Sequence, residues 1–169
     1  MSKQSLGAHV IRELRRDDRP RVATILASAG NFRPDEGAVA LELFDLGISA
    51  EGEEPLDPDY RWLGAVAGED LAGVACYGPT PATDGTFDLY WIALAASYQN
   101  RGIGRALLGR VEAEVTAHGG RLLVVETSSA STYEAPRAFY TARGYAVQAK
   151  ICDFYGPGDD RLILVRTIR

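Results

Sequence analysis

The 169-residue chain is 46% hydrophobic and 24% charged, values near the average of globular proteins that exclude a disordered or fibrous chain. Its net charge of −5 argues against nucleic acid and suits cationic small partners. No apolar run reaches the ~20 residues that span a bilayer, and the opening Met1 to Leu14 lacks the apolar stretch and cleavage site of a secretory leader, so a single cytoplasmic domain over 1–169 is expected.

In chain order, Val10 and Ile11 open a short strand, and Asp17 or Asp18 is placed to cap a helix through about Ala29, with Val22, Ile25, Leu26 and Ala29 on one face. Gly30 ends it. Pro34 and Asp35 start a second helix with Val39, Leu43 and Leu46 as its apolar stripe. Glu51 to Asp59, rich in acids and without a base, reads as a solvated loop or a rim that attracts cations. Tyr60 to Ala67 and Leu71 to Gly78, joined by Gly68-Glu69-Asp70, read as a hairpin. A third strand over Thr86 to Leu94 leads into a long helix ending at His118, with Ile103, Leu107, Val111 and Val115 on one stripe.

Leu122 to Val125 reads as a central strand covered on both faces and ending at Glu126-Thr127. Pro136 falls in the first turn of the next helix, Tyr140 lies mid-helix, and Gly144 stops it. Strands over Tyr145 to Tyr155 and Leu162 to Ile168 form a terminal hairpin around Gly156-Pro157-Gly158-Asp159. The order βααβββαβαββ is that of one α/β domain with a mixed sheet.

Cys76 and Cys152 fall in strands, where a thiol behaves as a small buried hydrophobe, and a disulfide is not expected. His9 and His118 have no Cys, Asp or Glu at ligand spacing, so no metal is expected, and His118 suits the end of its helix.

Gln99 to Arg105 leaves a strand and enters a helix with glycines at 102 and 104. Such a turn lets successive backbone amides approach a phosphate, aided by the helix dipole and by Arg101 and Arg105; it also serves as a plain surface turn. The P-loop string is absent. A dinucleotide fingerprint fails at Leu107, where glycine or alanine is required, although Glu126 imitates the ribose-binding acid.

Gln99-Asn100-Arg101-Gly102-Ile103-Gly104 resembles the Gln/Arg-x-x-Gly-x-Gly/Ala motif of the GCN5-related N-acetyltransferase (GNAT) superfamily. The resemblance runs from about Tyr60 to Arg169, preceded by two helices where that family places its acceptor-binding helices. It implies the GNAT fold, a mixed, mostly antiparallel sheet of about seven strands flanked by about four helices. It further implies an acyltransferase that moves acetyl from acetyl-CoA to a primary amine by direct attack in a ternary complex. The acceptor would be a small amine, an amino acid or a peptide N-terminus, with neither nucleic acid nor membrane as partner; a homodimer is compatible with the chain. By the same resemblance Ile92, Ala93 and Leu94 hold the pantetheine arm and an amide near Leu94 faces the carbonyl oxygen. Gln99, Asn100, Arg101, Gly102, Ile103, Gly104 and Arg105 hold the pyrophosphate.

An alkylammonium has no lone pair for attack, so transfer needs a base and a route for the proton. Glu126 fits the base and resembles the acid of Leu-Glu-Val-Arg in the subgroup that acetylates peptide N-termini; it also fits a strand-end carboxylate paired with an arginine. Tyr140, within Phe139-Tyr140-Thr141-Ala142-Arg143-Gly144-Tyr145, resembles the tyrosine that protonates the departing thiolate; a core aromatic is the other reading. Two departures weigh against peptide ends: Tyr133 replaces that subgroup's asparagine, and Glu126 and Tyr140 stand two residues further apart. Phe32, Phe154 and Tyr155 are candidate acceptor contacts, the last two equally suited to core or interface. An acetyl-CoA-binding sensor that has lost transfer is the alternative, and Glu126 with Tyr140 favours the enzyme.

Overall fold

The computed structural model describes residues 9–30 and 32–168. Among them seven strands form a mixed sheet in the order β1-β2-β3-β4-β5-β7-β6, accompanied by four α-helices. The chain order of elements is the one expected from the sequence. The contacts divide into two compact units: one comprises the chain up to Gly78 with Trp91–Ala113, the other Pro79–Tyr90 with Glu114–Arg169.

In the first unit, β1 (His9–Glu13) pairs antiparallel with β2 (Arg61–Ala67), which pairs with β3 (Asp70–Pro79) in the expected hairpin. A bulge at Ala65/Val66 shifts the register. The helix α1 (Arg19–Ser28) follows a 3-10 turn and buries Val22, Ile25 and Leu26. Asp18 stands at its N-cap, but its carboxylate does not cap forward. It accepts hydrogen bonds from the Arg15 amide at 2.8 Å and from both terminal nitrogens of Arg12 at 2.7 and 3.0 Å, which ties β1 to the turn. The Arg12 hydrogen bonds hold the Asp18 carboxyl below its ordinary value despite burial.

The helix α2 (Pro34–Gly47) begins on Pro34 as expected, but its buried stripe is Ala40 and Phe44. Val39, expected inside, is 45% exposed. The stripe is chosen by what receives it: Phe44 meets Trp62 edge-on at 5.4 Å, and the Trp62 indole donates to the Leu43 carbonyl at 3.4 Å. Glu51 to Asp59 holds no regular element.

β4 (Thr86–Leu94) carries the boundary between the units, its first half in one and its last four residues in the other. The helix α3 spans Ile103–Ala117, and Ile103, Leu107, Val111 and Val115 are all buried as its periodicity requires. Each such side chain contributes about 1.5–3 kcal/mol by leaving water.

In the second unit β4 pairs in parallel with β5 (Leu122–Ser128), and β7 (Asp159–Thr167) pairs antiparallel with both β5 and β6 (Ala146–Gly156). β5 runs past the expected end, because Glu126, Thr127 and Ser128 continue the ladder opposite Ile163, Leu162 and Arg161. Its faces differ: Leu123, Val125 and Thr127 are buried on one, whereas on the other Leu122 and Val124 are half-buried, Glu126 is exposed and Ser128 is buried. The helix α4 is short, Glu134–Thr141, so Tyr140 is its penultimate residue rather than a mid-helix one. Gly144 ends the segment with φ +84°. Cys76 is buried as expected, Cys152 lies exposed on β6, and both are free.

Candidate active site

The expected phosphate turn is built as a sharp reversal. Ala96–Tyr98 forms a 3-10 turn, Asn100 and Gly102 take left-handed backbones at φ +58° and +80°, and α3 starts at Ile103. The first helical hydrogen bond runs from the Ala106 amide to the Gly102 carbonyl at 3.0 Å, and the first-turn amides before it lack an intrahelical acceptor, as at any helix start. A Cβ at Gly102 would project into open space, and Gln99, Asn100, Arg101 and Arg105 are exposed beside it. Ile103 and Gly104 turn inward and are buried. This donor set, the first-turn amides of a helix with two exposed arginines, fits a pyrophosphate.

Ile92, Ala93 and Leu94 form the end of β4 immediately upstream. Ala93 is buried, while Ile92 and Leu94 are partly open. The strand end is held by the Ala95 amide, which donates to the Ala72 carbonyl at 2.9 Å. A sequence reading misses what permits this: a Cβ at Gly73 would lie 2.5 Å from Leu94 Cδ2, 3.0 Å from Leu107 Cδ1 and 3.1 Å from the Ala93 carbonyl oxygen. Glycine lets β3 approach the end of β4 and α3 together.

In the second unit, the register Asp88↔Val124 places Asp88 on the same sheet face as Glu126, two residues beyond Val124. Arg161, opposite Ser128, shares that face and forms an ion pair with Glu126. Glu126 thus has an arginine partner at the strand end. Asp88 is different. Its carboxylate accepts from the Thr80 hydroxyl at 2.6 Å and has no ion pair among the described residues. Burial pushes its acidity weaker than an ordinary aspartate, opposed by the Thr80 bond; the Glu126 charge pushes the same way as burial and Arg161 against it. Asp88 was legible only as one carboxylate inside an otherwise apolar strand, a weak sign of a perturbed group.

Tyr140 is 5% exposed, flanked edge-on by Phe139 at 5.2 Å and Tyr145 at 5.5 Å. Burial alone raises its hydroxyl well above the ordinary tyrosine value, so it is protonated throughout the neutral range. Phe154, 48% exposed on β6, meets Tyr155 edge-on at 5.0 Å and lies under the Arg161 guanidinium at 4.8 Å. Phe32 is half-buried in the bend before α2. His118 directs Nδ1 to the Glu114 carbonyl at 2.7 Å at the end of α3, as its position implied. The buried Cys76 thiol is raised far above its usual range by desolvation, which unsuits it to nucleophilic attack.

The model of the acetyltransferase (GNAT) family matches residues 10–145, four-fifths of the chain. The chain belongs to that family. This GNAT acetyltransferase superposes on a GNAT-family crystal structure from Desulfovibrio desulfuricans with TM-score 0.87 and 40% identity, covering 96% of this chain and 100% of that one. The ribosomal-protein-S18-alanine N-acetyltransferase of Escherichia coli shares its fold at TM-score 0.74 and 21% identity, covering 95% and 94%. An aminoglycoside 6′-N-acetyltransferase complexed with coenzyme A does so at 0.74 and 18%, covering 95% and 97%. No curated protein matches the sequence. Among the described residues no helix is long and apolar enough to cross a membrane.

Proposed function

We propose that this GNAT acetyltransferase uses acetyl-CoA to acetylate a primary amine of a small molecule, an amino acid or a peptide, in the cytoplasm and by direct attack. The observation that carries the reading is the reversal at Asn100 and Gly102, which starts α3 at Ile103 between Arg101 and Arg105. Gln99 to Arg105 hold the pyrophosphate, and Ile92 to Leu94 hold the pantetheine arm through their backbone. The lower end of the size range is favoured by Tyr133, which replaces an asparagine found in enzymes of peptide ends.

The amine must lose a proton before its nitrogen attacks the thioester carbonyl carbon. A weakly acidic carboxylate accepts that proton best, and Asp88 is the carboxylate whose burial makes it so, whereas Glu126 shares its charge with Arg161. Asp88 therefore takes the proton, kept basic by its burial first and by the Glu126 charge second. As the carbon–sulfur bond breaks and the amide forms, the nitrogen gives its second proton to solvent, and Tyr140 gives its proton to the thiolate and is reprotonated from solvent. The products are the N-acetyl amine and coenzyme A thiol, with one proton released. Phe32, Phe154 and Tyr155 contact the acceptor.

Release of coenzyme A thiol from acetyl-CoA across a panel of primary amines tests this reading, with NADH binding as the control for a dinucleotide site. Amine-dependent release supports it. Acetyl-CoA binding without release under any amine makes the protein a binding module instead.

A further inference from the structure

The phosphate turn is tied down by a part of the chain that no motif points to. Tyr98, the last residue of the 3-10 turn before Gln99, donates its hydroxyl to Asp70 Oδ2 at 2.8 Å. Asp70 opens β3, 28 residues earlier, at the tip of the β2–β3 hairpin. Its hydrogen bond raises the Tyr98 hydroxyl above its ordinary value, so Tyr98 remains the donor. The other face of the contact is the Tyr98 ring, with the Arg101 guanidinium 5.5 Å from its centroid, inside the range of a cation–π interaction. Upstream, the Ala95 amide is anchored on the Ala72 carbonyl of the same strand at 2.9 Å. The segment is thus fastened to the start of β3 at Ala95 and at Tyr98, and Arg101 lies against the Tyr98 ring.

We propose that Asp70 and Tyr98 are positioning residues for the pyrophosphate of acetyl-CoA: Asp70 fixes Tyr98, and Tyr98 holds the turn and Arg101 in the arrangement that receives the phosphates. This rests on the acetyl-CoA reading above. A loop whose backbone amides bind an anion loses affinity when it must be ordered at the moment of binding, and a guanidinium stacked on a fixed ring has less freedom to lose. Asp70 and Tyr98 touch no reacting atom in this scheme, so they act on donor affinity and leave the chemical step alone.

The test is calorimetric titration of the full chain with acetyl-CoA for the unaltered protein, Asp70→Ala, Tyr98→Phe and the double variant, with steady-state kinetics alongside. Each single variant weakens binding about three- to tenfold, the range of one ordinary net hydrogen bond. The double variant is no weaker than the worse single, because both remove the same bond. KM for acetyl-CoA rises with kcat unchanged, whereas KM for S-acetylpantetheine, which lacks the pyrophosphate, does not move. Unaltered affinity in the single variants, additive losses in the double, or an equal rise in KM for S-acetylpantetheine overturns the proposal. If the unaltered folded protein does not bind acetyl-CoA, the donor reading itself falls, and the proposal with it.

Discussion

Asp88 and Glu126 lie on one face of neighbouring parallel strands, and only Glu126 is neutralised by an arginine. From that asymmetry follows a division of labour. With Asp88 proposed as the proton acceptor, Asp88→Asn is expected to lower kcat by about two to four orders of magnitude. The acidic limb of the pH profile of kcat/KM belongs to Asp88: activity is lost as pH falls through a value above that of an ordinary aspartate, since the raised group must be deprotonated to act.

Glu126→Gln has the opposite character. Removing a negative charge beside Asp88 lowers its pKa, and the freed Arg161 lowers it further, so the acidic limb moves to lower pH while most of kcat is retained. Equal loss of kcat in both variants would show that the two carboxylates act as a unit.

Tyr140→Phe keeps the ring packed between Phe139 and Tyr145 and removes only the hydroxyl. It reduces kcat by about 10²-fold or more while leaving acetyl-CoA affinity within about twofold. A second readout is stability in alkali. The folded-state value is raised, so the contribution is fully present below the unfolded value of about 10 and is lost as pH rises beyond it. Tyr140→Phe therefore flattens the fall in melting temperature above that pH.

Gly73→Ala introduces a Cβ 3.1 Å from the Ala93 carbonyl oxygen and 2.5 Å from a Leu94 methyl. Overpacking costs about 1–3 kcal/mol in a melting experiment. Because the displaced atoms belong to the end of β4, KM for acetyl-CoA rises as well.

Asp18→Asn loses the charged partner of Arg12 at a buried position and destabilises the protein by about 1–3 kcal/mol. The Asp18 value is depressed in the fold, so the stabilisation is present above the ordinary aspartate value near 3.9 and fades as pH falls below it. Acid titration of the melting temperature is shallower in the variant.

The elements most visible in the sequence are those whose local pattern and tertiary role agree. Ile103, Leu107, Val111 and Val115 repeat every four residues, and all are buried in α3. The glycine-rich reversal was legible because a left-handed residue needs a special side chain or none, as Asn100 and Gly102 show. In α2, by contrast, two adjacent stripes were both apolar, and Trp62 decides for Ala40 and Phe44 over Val39. Asp18 has the composition of a cap, but Arg12 across the turn outcompetes the helix start. The chemistry of Asp88 depends on burial and on charges brought by β5 and β7, so no local window contains it. Arg161, which pairs with Glu126, comes from 35 residues further along.

The most direct test of the account is product analysis after incubating the protein with acetyl-CoA and a mixture of small primary amines, amino acids and short peptides. Direct transfer predicts one acetyl group on the nitrogen of a primary amine, formed in equal amount with coenzyme A thiol. Coenzyme A thiol formed without any acetylated amine, or no product from folded protein that binds acetyl-CoA, would contradict it.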